Sequence, residues 1–345
     1  MYVISKKDVS NILENYEIEN YRNIILIETL QYYQVESRVC VVLMIETDLC
    51  KKYVVKLISS ELLCDEQEEE QAKFSEFLRI NDIPVPHKYK AKNKYVNSFT
   101  FEDEKFYVTV EDYWGENLNI ISLESTAVLG KLLAMMHELA IKYDYHLTKG
   151  SIYRAMISGK VGIDKIWKSS SALIDAGMYE RIKLTHENAI TTIGKMWKDL
   201  PINAVHGDLG LVNNITIHNN KYGIIDFNLS GDEVLLSDML ITWYSSVYSF
   251  NLALILTRSE IKKNRKKFFD AYICNRNLTV NEKGYLYKMA CLINGIYFNR
   301  FVSLLANKGF DRTVMKMIPH IVNNYECLDT DFDIRKELQI EMKMI

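Results

Sequence analysis

The chain has 345 residues, 48% of them apolar, and a formal net charge of -3. That length and apolar content suit two domains, or one large one, with a sizeable core. A charged fraction of 25% with nearly balanced signs excludes a disordered chain, a nucleic-acid-coating protein and an acidic tail.

Residues 5–16 read as a short amphipathic helix, with Ser5 and Asp8 as a capping pair and Val9, Ile12, Leu13 and Tyr16 in one stripe. Ile24–Gln34, Ser37–Glu46 and Lys52–Ile58 are rich in Val, Ile, Leu and Tyr and read as consecutive antiparallel strands. Residues 65–80 have helical period with Phe74, Phe77 and Leu78 on one side; Asn81-Asp82 end the helix, and Pro84 and Pro86 hold the chain extended beyond it. A strand pair is expected at about Ser98–Phe101 and Phe106–Glu111. From Gly115 onward the pattern is helical: a strong helix over Thr126–Lys142, two helices over 163–198, and helices again over 238–345. A strand-rich island, Ala204–Asp226, interrupts them. These readings predict an α+β chain, with a β-rich domain over 1–114 and a helical domain over 115–345.

Glycine is scarce, with 14 residues against roughly 24 at average usage, and the first is Gly115. The glycine-free stretch excludes a dinucleotide fingerprint or a P-loop there, because both need glycine where backbone approaches phosphate. The six cysteines form no CxxC pair, which argues against a zinc site and for a reducing compartment. The N-terminal residues lack the layout of a signal peptide, and no apolar run approaches the length of a membrane span. The expectation is a soluble cytoplasmic protein with no membrane or nucleic-acid partner. The acidic run Asp65–Glu70 and the basic run Lys262–Lys267 read mainly as solvated helix faces.

One segment carries chemistry. Val205-His206-Gly207-Asp208-Leu209-Gly210-Leu211-Val212-Asn213 has the form HxDxxxxN, and Ile224-Ile225-Asp226-Phe227 follows it. Transfer of a phosphoryl group from a nucleotide needs a carboxylate beside the acceptor hydroxyl and oxygen ligands for Mg²⁺. Asp208 suits the first task; Asn213 and Asp226 suit the second.

The run HGDLGLVNN…IIDFNLSGDEVLLSDML resembles the aminoglycoside phosphotransferase and choline kinase superfamily, whose fold is a bilobal protein-kinase-like one. The resemblance implies a small antiparallel nucleotide-binding lobe with one main helix and a larger helical lobe. It further implies a small-molecule O-phosphotransferase that uses ATP or GTP with Mg²⁺ on a hydroxyl acceptor such as an antibiotic or an amino alcohol. Asp238, twelve residues after Asp226, takes the place of the residue that orders the catalytic loop. Tyr53-Val54-Val55-Lys56-Leu57 resembles the strand that supplies the phosphate-binding lysine, which implies Lys56 in that role. An acid on the next helix would pair with it: Glu70, with Glu66 and Glu69 as rivals. Val110–Leu118 resembles the hinge that bonds the nucleobase through its backbone, which implies contacts at Glu111 and Tyr113. The turn Tyr33–Arg38 corresponds to the phosphate-covering loop, where Ser37 is a candidate donor and Glu36 an unwelcoming neighbour. His137 and His206 read as structural.

Departures from the family are clear. Gly210-Leu211-Val212 stands where many relatives carry a proline, and Asn228 stands where protein kinases have a glycine. With Gly207 in place of an arginine, the pattern argues against a conventional protein kinase. Trp243, Tyr244 and Tyr248 follow Asp238 and read as a core stripe, with acceptor contact as the alternative. Asp232 and Glu233 read either as exposed turn acids or as an attraction for a cationic acceptor. The glycine-free phosphate loop keeps open a catalytically weak or inactive kinase-like protein, similar to spore-coat members of the superfamily.

Overall fold

The computed structural model describes residues 5–18, 21–32, 38–60, 64–101, 104–118, 121–151, 176–210, 214–247, 257–290 and 292–293. Ser37, Asn213 and Tyr248 lie outside them, as does 163–175 of the expected helical pair. The chain divides into two compact units: Met1–Asn117 with Ile215–Asn228, and Leu118–Asn214 with Leu229–Ile345.

The first unit opens on α1, Lys6–Asn15, which starts where the Ser5 and Asp8 side chains cap each other's backbone N–H groups. Val9, Ile12 and Leu13 line its buried face. Strands β1 (Tyr21–Tyr32), β2 (Arg38–Thr47), β3 (Lys52–Ser60), β4 (Asn97–Phe101) and β5 (Glu104–Asp112) form one antiparallel sheet in the order β1-β2-β3-β5-β4. Alternation decides which face each residue takes. Val41, Leu43 and Ile45 of β2, Val55 and Leu57 of β3, and Phe106, Val108 and Val110 of β5 pack with the apolar stripe of α1 in a single core.

Helix α2, Asp65–Ile80, carries Asp65, Glu66 and Glu68 in its first turn and Arg79 in its last, a charge order that suits the helix dipole. Its buried Ala72 packs with Val96 and Tyr107. Strand β6, Glu116–Asn117, pairs with β8 (Ile215–His218), which pairs with β9 (Lys221–Ile224). This pairing is why residues 215–228 group with the first unit rather than with the helical residues around them in sequence.

The second unit is built around α3, Leu123–Lys142, which begins at a Ser122/Ser125 capping box. It extends three residues earlier than the expected Thr126 start because the cap lies at Ser122. Helix α4 spans Ala176–Met196, α5 Leu235–Val247 and α6 Arg258–Asn275. Helices α3 and α6 approach so closely that a Cβ on Gly130 would sit 2.4 Å from the Phe268 carbonyl oxygen. Strands β7 (Ile202–Val205) and β10 (Gly231–Val234) form an antiparallel pair beside them. No helix among the described residues is long and apolar enough to cross a membrane.

Candidate active site

In the second unit, β7 delivers its chain end to His206, Gly207 and Asp208. His206 is fully buried, and its Nδ1 accepts from the Asp208 N–H at 3.4 Å. Gly207 has φ +83, and a Cβ there would lie 2.3 Å from the Leu229 carbonyl oxygen, so both conformation and space require glycine. The turn aims Asp208 off the strand end, where it is half-buried. Gly210 and Asn214 close the far side: the Gly210 N–H donates to Asn214 Oδ1 and the Asn214 N–H to the Gly210 carbonyl, each at 3.1 Å.

Asp238 holds this turn from beneath. Its Oδ1 accepts from the Gly207 N–H at 3.1 Å and its Oδ2 from His137 Nε2 at 3.0 Å. His137 Nδ1 lies 2.6 Å from the Tyr272 hydroxyl, to which Arg276 donates at 3.0 Å. Arg276 in turn pairs with Glu282 at 2.8 Å. With Asp238 accepting at Nε2–H, the consistent assignment is a neutral imidazole whose Nδ1 accepts from Tyr272. Burial holds the His137 pKa below its ordinary value despite the pull of Asp238. The unfolded imidazole, with a pKa of 6.5, therefore binds a proton in a range where the folded one does not. Stability is complete above that value and is lost as pH falls below it. Tm is expected to drop between about pH 7 and about pH 5.5, and His137→Gln, which keeps a donor and cannot charge, to flatten that slope. An unchanged slope in calorimetry would refute the assignment.

In the first unit, β3 is flanked by β2 and β5, and Lys56 pairs in register with Val42 and Thr109. It faces away from Val55 and Leu57, so its side chain leaves the apolar core yet stays only 12% exposed. Lys56 Nζ lies 3.1 Å from Asp226 Oδ1 and 3.6 Å from Glu111 Oε1. Burial alone would drive the ammonium pKa down, but these two carboxylates outweigh it and push the pKa up. Lys56 is therefore a standing interior cation. Asp226 follows β9 with φ +71, a left-handed conformation that aspartate tolerates better than most residues. Two anchors hold it there: the Ile224 N–H donates to the Pro84 carbonyl at 2.8 Å, and the neighbouring Phe227 packs edge-on against Phe74 at 6.1 Å. Its side chain is 36% exposed, so one carboxylate serves Lys56 and still meets solvent.

No known family profile matches the sequence, and no curated protein matches it. The structure, however, is similar to solved ones over nearly the whole chain. A microcompartment-associated aminopropanol kinase superposes with TM-score 0.65 at 16% identity, covering 95% of this chain and 98% of that one. An amicoumacin kinase in complex with AMP-PNP, Ca²⁺ and Ami gives TM-score 0.63 at 13% identity, with 93% and 96% covered. An aminoglycoside phosphotransferase from Alicyclobacillus acidocaldarius gives 0.59 at 13%, with 99% and 98% covered. The fold is protein-kinase-like.

Within this kinase-like fold several expected residues take other places. The ion pairs of Lys56 are with Asp226 and Glu111, while Glu70 lies half-buried on α2. Glu69 accepts from the N–H groups of Tyr95 and Val96, each at 3.0 Å, and Glu66 is exposed. Glu111 contributes its carboxylate to Lys56: Val54 is its register partner, so it shares the face of Lys56. The Tyr113 N–H donates to the Lys52 carbonyl at 3.1 Å and is taken up by the fold. Gly115 has φ +80 and lies against the Ile217 carbonyl, which stitches the segment after β5 to the β8–β9 hairpin.

Trp243 is buried between Phe268 and Phe269, as a core residue, and the side chain of Tyr244 lies outside what the structure describes. Neither Asp232 nor Glu233 is an exposed turn acid. Asp232 accepts from His146 Nδ1 at 2.7 Å and the Leu147 N–H at 2.8 Å, and Glu233, fully buried, from the Ser151 hydroxyl. Both sit on β10, a strand too short and too polar to declare itself in sequence.

Sequence reasoning missed Lys88. It is buried and forms an ion pair with Glu111 Oε2. Its own N–H donates to Glu76 Oε1 at 2.6 Å, so the acid of α2 that ties the helix to this segment is Glu76. The signal was available in physical terms: Pro86 and Lys88 occupy the same inward phase of an extended segment, opposite an acid on β5.

Among the described residues no group of three or more His, Cys, Asp or Glu is arranged to hold a metal. One partly exposed carboxylate at Asp226 suits a hard cation such as Mg²⁺, which binds through one or two carboxylates and completes its shell with phosphate oxygens and water.

Proposed function

We propose that the chain is a small-molecule O-phosphotransferase that moves the γ-phosphoryl group of ATP or GTP to a hydroxyl of an antibiotic-like or amino-alcohol acceptor. The observation that carries this reading is Lys56, a buried ammonium kept charged by Asp226 at 3.1 Å and by Glu111. A standing cation beside a partly exposed carboxylate is the arrangement that receives phosphate oxygens together with a divalent ion. The structural neighbours include an aminopropanol kinase, an amicoumacin kinase and an aminoglycoside phosphotransferase, which supports the acceptor class.

In this reading Lys56 engages the phosphate oxygens of the donor. Asp226 and Asn213 are the ligands for Mg²⁺, which would neutralise charge on the phosphates. Asp208 orients the acceptor hydroxyl and takes its proton. The acceptor oxygen forms a bond to Pγ while the bond from Pγ to the β–γ bridging oxygen breaks, and the nucleoside diphosphate leaves. Asp238 keeps Gly207 in place so that Asp208 is presented in one orientation. Catalysis of this kind is mostly positioning and charge neutralisation.

The test is a phosphotransfer screen with ATP and GTP across amino alcohols, choline, homoserine, sugars, aminoglycosides and macrolides, read by product mass. Gain of one phosphoryl group on one class is the expected result. Saturable nucleotide binding without transfer to any class would favour an inactive kinase-like protein, and absence of nucleotide binding would overturn the reading.

A further inference from the structure

The phosphotransfer reading gives Lys88 no task, yet the chain buries its ammonium in the same cluster as Lys56. We infer that Lys88 is a positioning residue for Lys56: it neutralises and orients Glu111 so that the charge of Lys56 stays available to the nucleotide. The inference rests on the nucleotide reading of this site.

The geometry divides one carboxylate between two lysines. Glu111 Oε2 takes Lys88, and Oε1 is turned toward Lys56 at 3.6 Å. Lys88 has little freedom to move. Its residue bridges Glu111 through the backbone, and the bonds on either side close the segment onto β5. The Tyr89 N–H donates to the Val110 carbonyl at 2.8 Å and the Asp112 N–H to the His87 carbonyl at 2.9 Å. Lys88 is thus fixed by its backbone, Glu111 by Lys88, and the second anion of Lys56 by Glu111.

Charge counting shows why this matters. The cluster of Lys88, Glu111, Lys56 and Asp226 holds two cations and two anions. A divalent ion recruited with the nucleotide competes for the partly exposed Asp226. Lys56 is then left with Glu111, which Lys88 already satisfies, and its surplus positive charge turns to the phosphates. Without Lys88, Glu111 would be a buried anion with Lys56 as its remaining partner. It would draw the ammonium to itself, because an unpaired buried charge is costly. The 3.6 Å separation from Glu111, longer than the 3.1 Å to Asp226, fits a guide rather than a clamp.

A double-mutant cycle on nucleotide affinity tests this, with AMP-PNP and a divalent ion titrated calorimetrically into the full chain. Lys88→Met is expected to weaken affinity about tenfold, Lys88→Arg to restore it, and Glu111→Gln added to Lys88→Met to recover most of the loss. In a Lys56→Met background the Lys88→Met change should alter affinity less than about twofold. Equal losses in both backgrounds, with no recovery by Glu111→Gln, would make Lys88 merely structural and overturn the inference while leaving the nucleotide reading intact. A wild-type chain that binds no nucleotide would overturn that reading, and the inference with it. Should Lys88→Met fail to fold, Glu111→Gln compared in the two Lys56 backgrounds gives the same decision.

Discussion

Replacing Asp208 with alanine is expected to lower phosphotransfer turnover by about 10³-fold, within the 10² to 10⁴ span typical of a positioned base. Nucleotide affinity should stay within about twofold of wild type, because removing a transition-state contact leaves ground-state binding of the other substrate intact. The structure favours so clean a separation. Asp208 touches the catalytic turn through its backbone N–H to His206, a bond that alanine keeps. The bond from the Gly207 N–H to Asp238, which helps to hold the turn, is untouched by the substitution. Tm measured on both proteins separates the two causes: turnover lost at an unchanged Tm reports chemistry rather than unfolding. Asp208→Asn separates orienting from proton acceptance: it can still accept a hydrogen bond from the acceptor hydroxyl but is a far poorer base. Turnover in Asp208→Asn near that of the alanine variant would assign the effect to proton acceptance, and an intermediate value to orientation. Wild-type turnover in Asp208→Ala, measured with the acceptor found in the screen, would sink the assignment.

Local patterns announced the parts of the molecule whose physics is local. The capping pair at Ser5 and Asp8, the period of 65–80 and the apolar alternation of the first three strands each depend on residues within a few positions of one another. The glycine-free stretch gained meaning in the same way. The first glycine, Gly115, and Gly207 are both at positive φ against a backbone carbonyl, so a glycine-poor chain spends these two where no other residue fits. What stayed hidden depends on distant register. The sequence of 215–228 contains nothing to say that it joins the first unit, because the partner that recruits it, Glu116–Asn117, lies about a hundred residues earlier. The resemblance assigns Glu111 a role through its backbone and says nothing of its side chain, whose carboxylate the pairing of β3 with β5 turns to Lys56. Lys88 carries no local signal, because its partner Glu111 is set by the pairing of its segment with β5. A buried lysine on an otherwise apolar strand was a sound reason to look for an acid. The resemblance places that acid on the helix that follows in sequence, whereas Glu111 stands on the strand that neighbours in space.

Asp226→Asn is the second decisive substitution. It removes a charge while retaining a residue type that accepts φ +71, whereas alanine would add strain of about 1 kcal/mol at a left-handed position and confuse the result. Without nucleotide the variant should remain folded: Lys56 keeps Glu111 as a buried anion, and Phe227 and Ile224 still anchor the segment. With nucleotide the loss should be confined to the part of the affinity that needs a divalent ion. Loss of residues that merely orient a metal ligand typically costs 10- to 100-fold in metal affinity, so loss of the direct carboxylate should weaken divalent-dependent nucleotide binding by at least about 100-fold. In chelator, wild type and variant should bind the nucleotide equally weakly. The thermal shift follows from mass action: at nucleotide about 100 times its dissociation constant the wild type gains about 2.7 kcal/mol, and the variant under the same conditions should gain almost none. The divalent ion also distinguishes Asp226 from Lys56 as the seat of the effect. A Lys56→Met variant should lose affinity with and without the ion, since its ammonium meets phosphate directly, whereas Asp226→Asn should lose it only with the ion. If Asp226→Asn kept its divalent-dependent gain, the carboxylate would be no more than the counter-charge of Lys56, and the metal would have to be held by other residues.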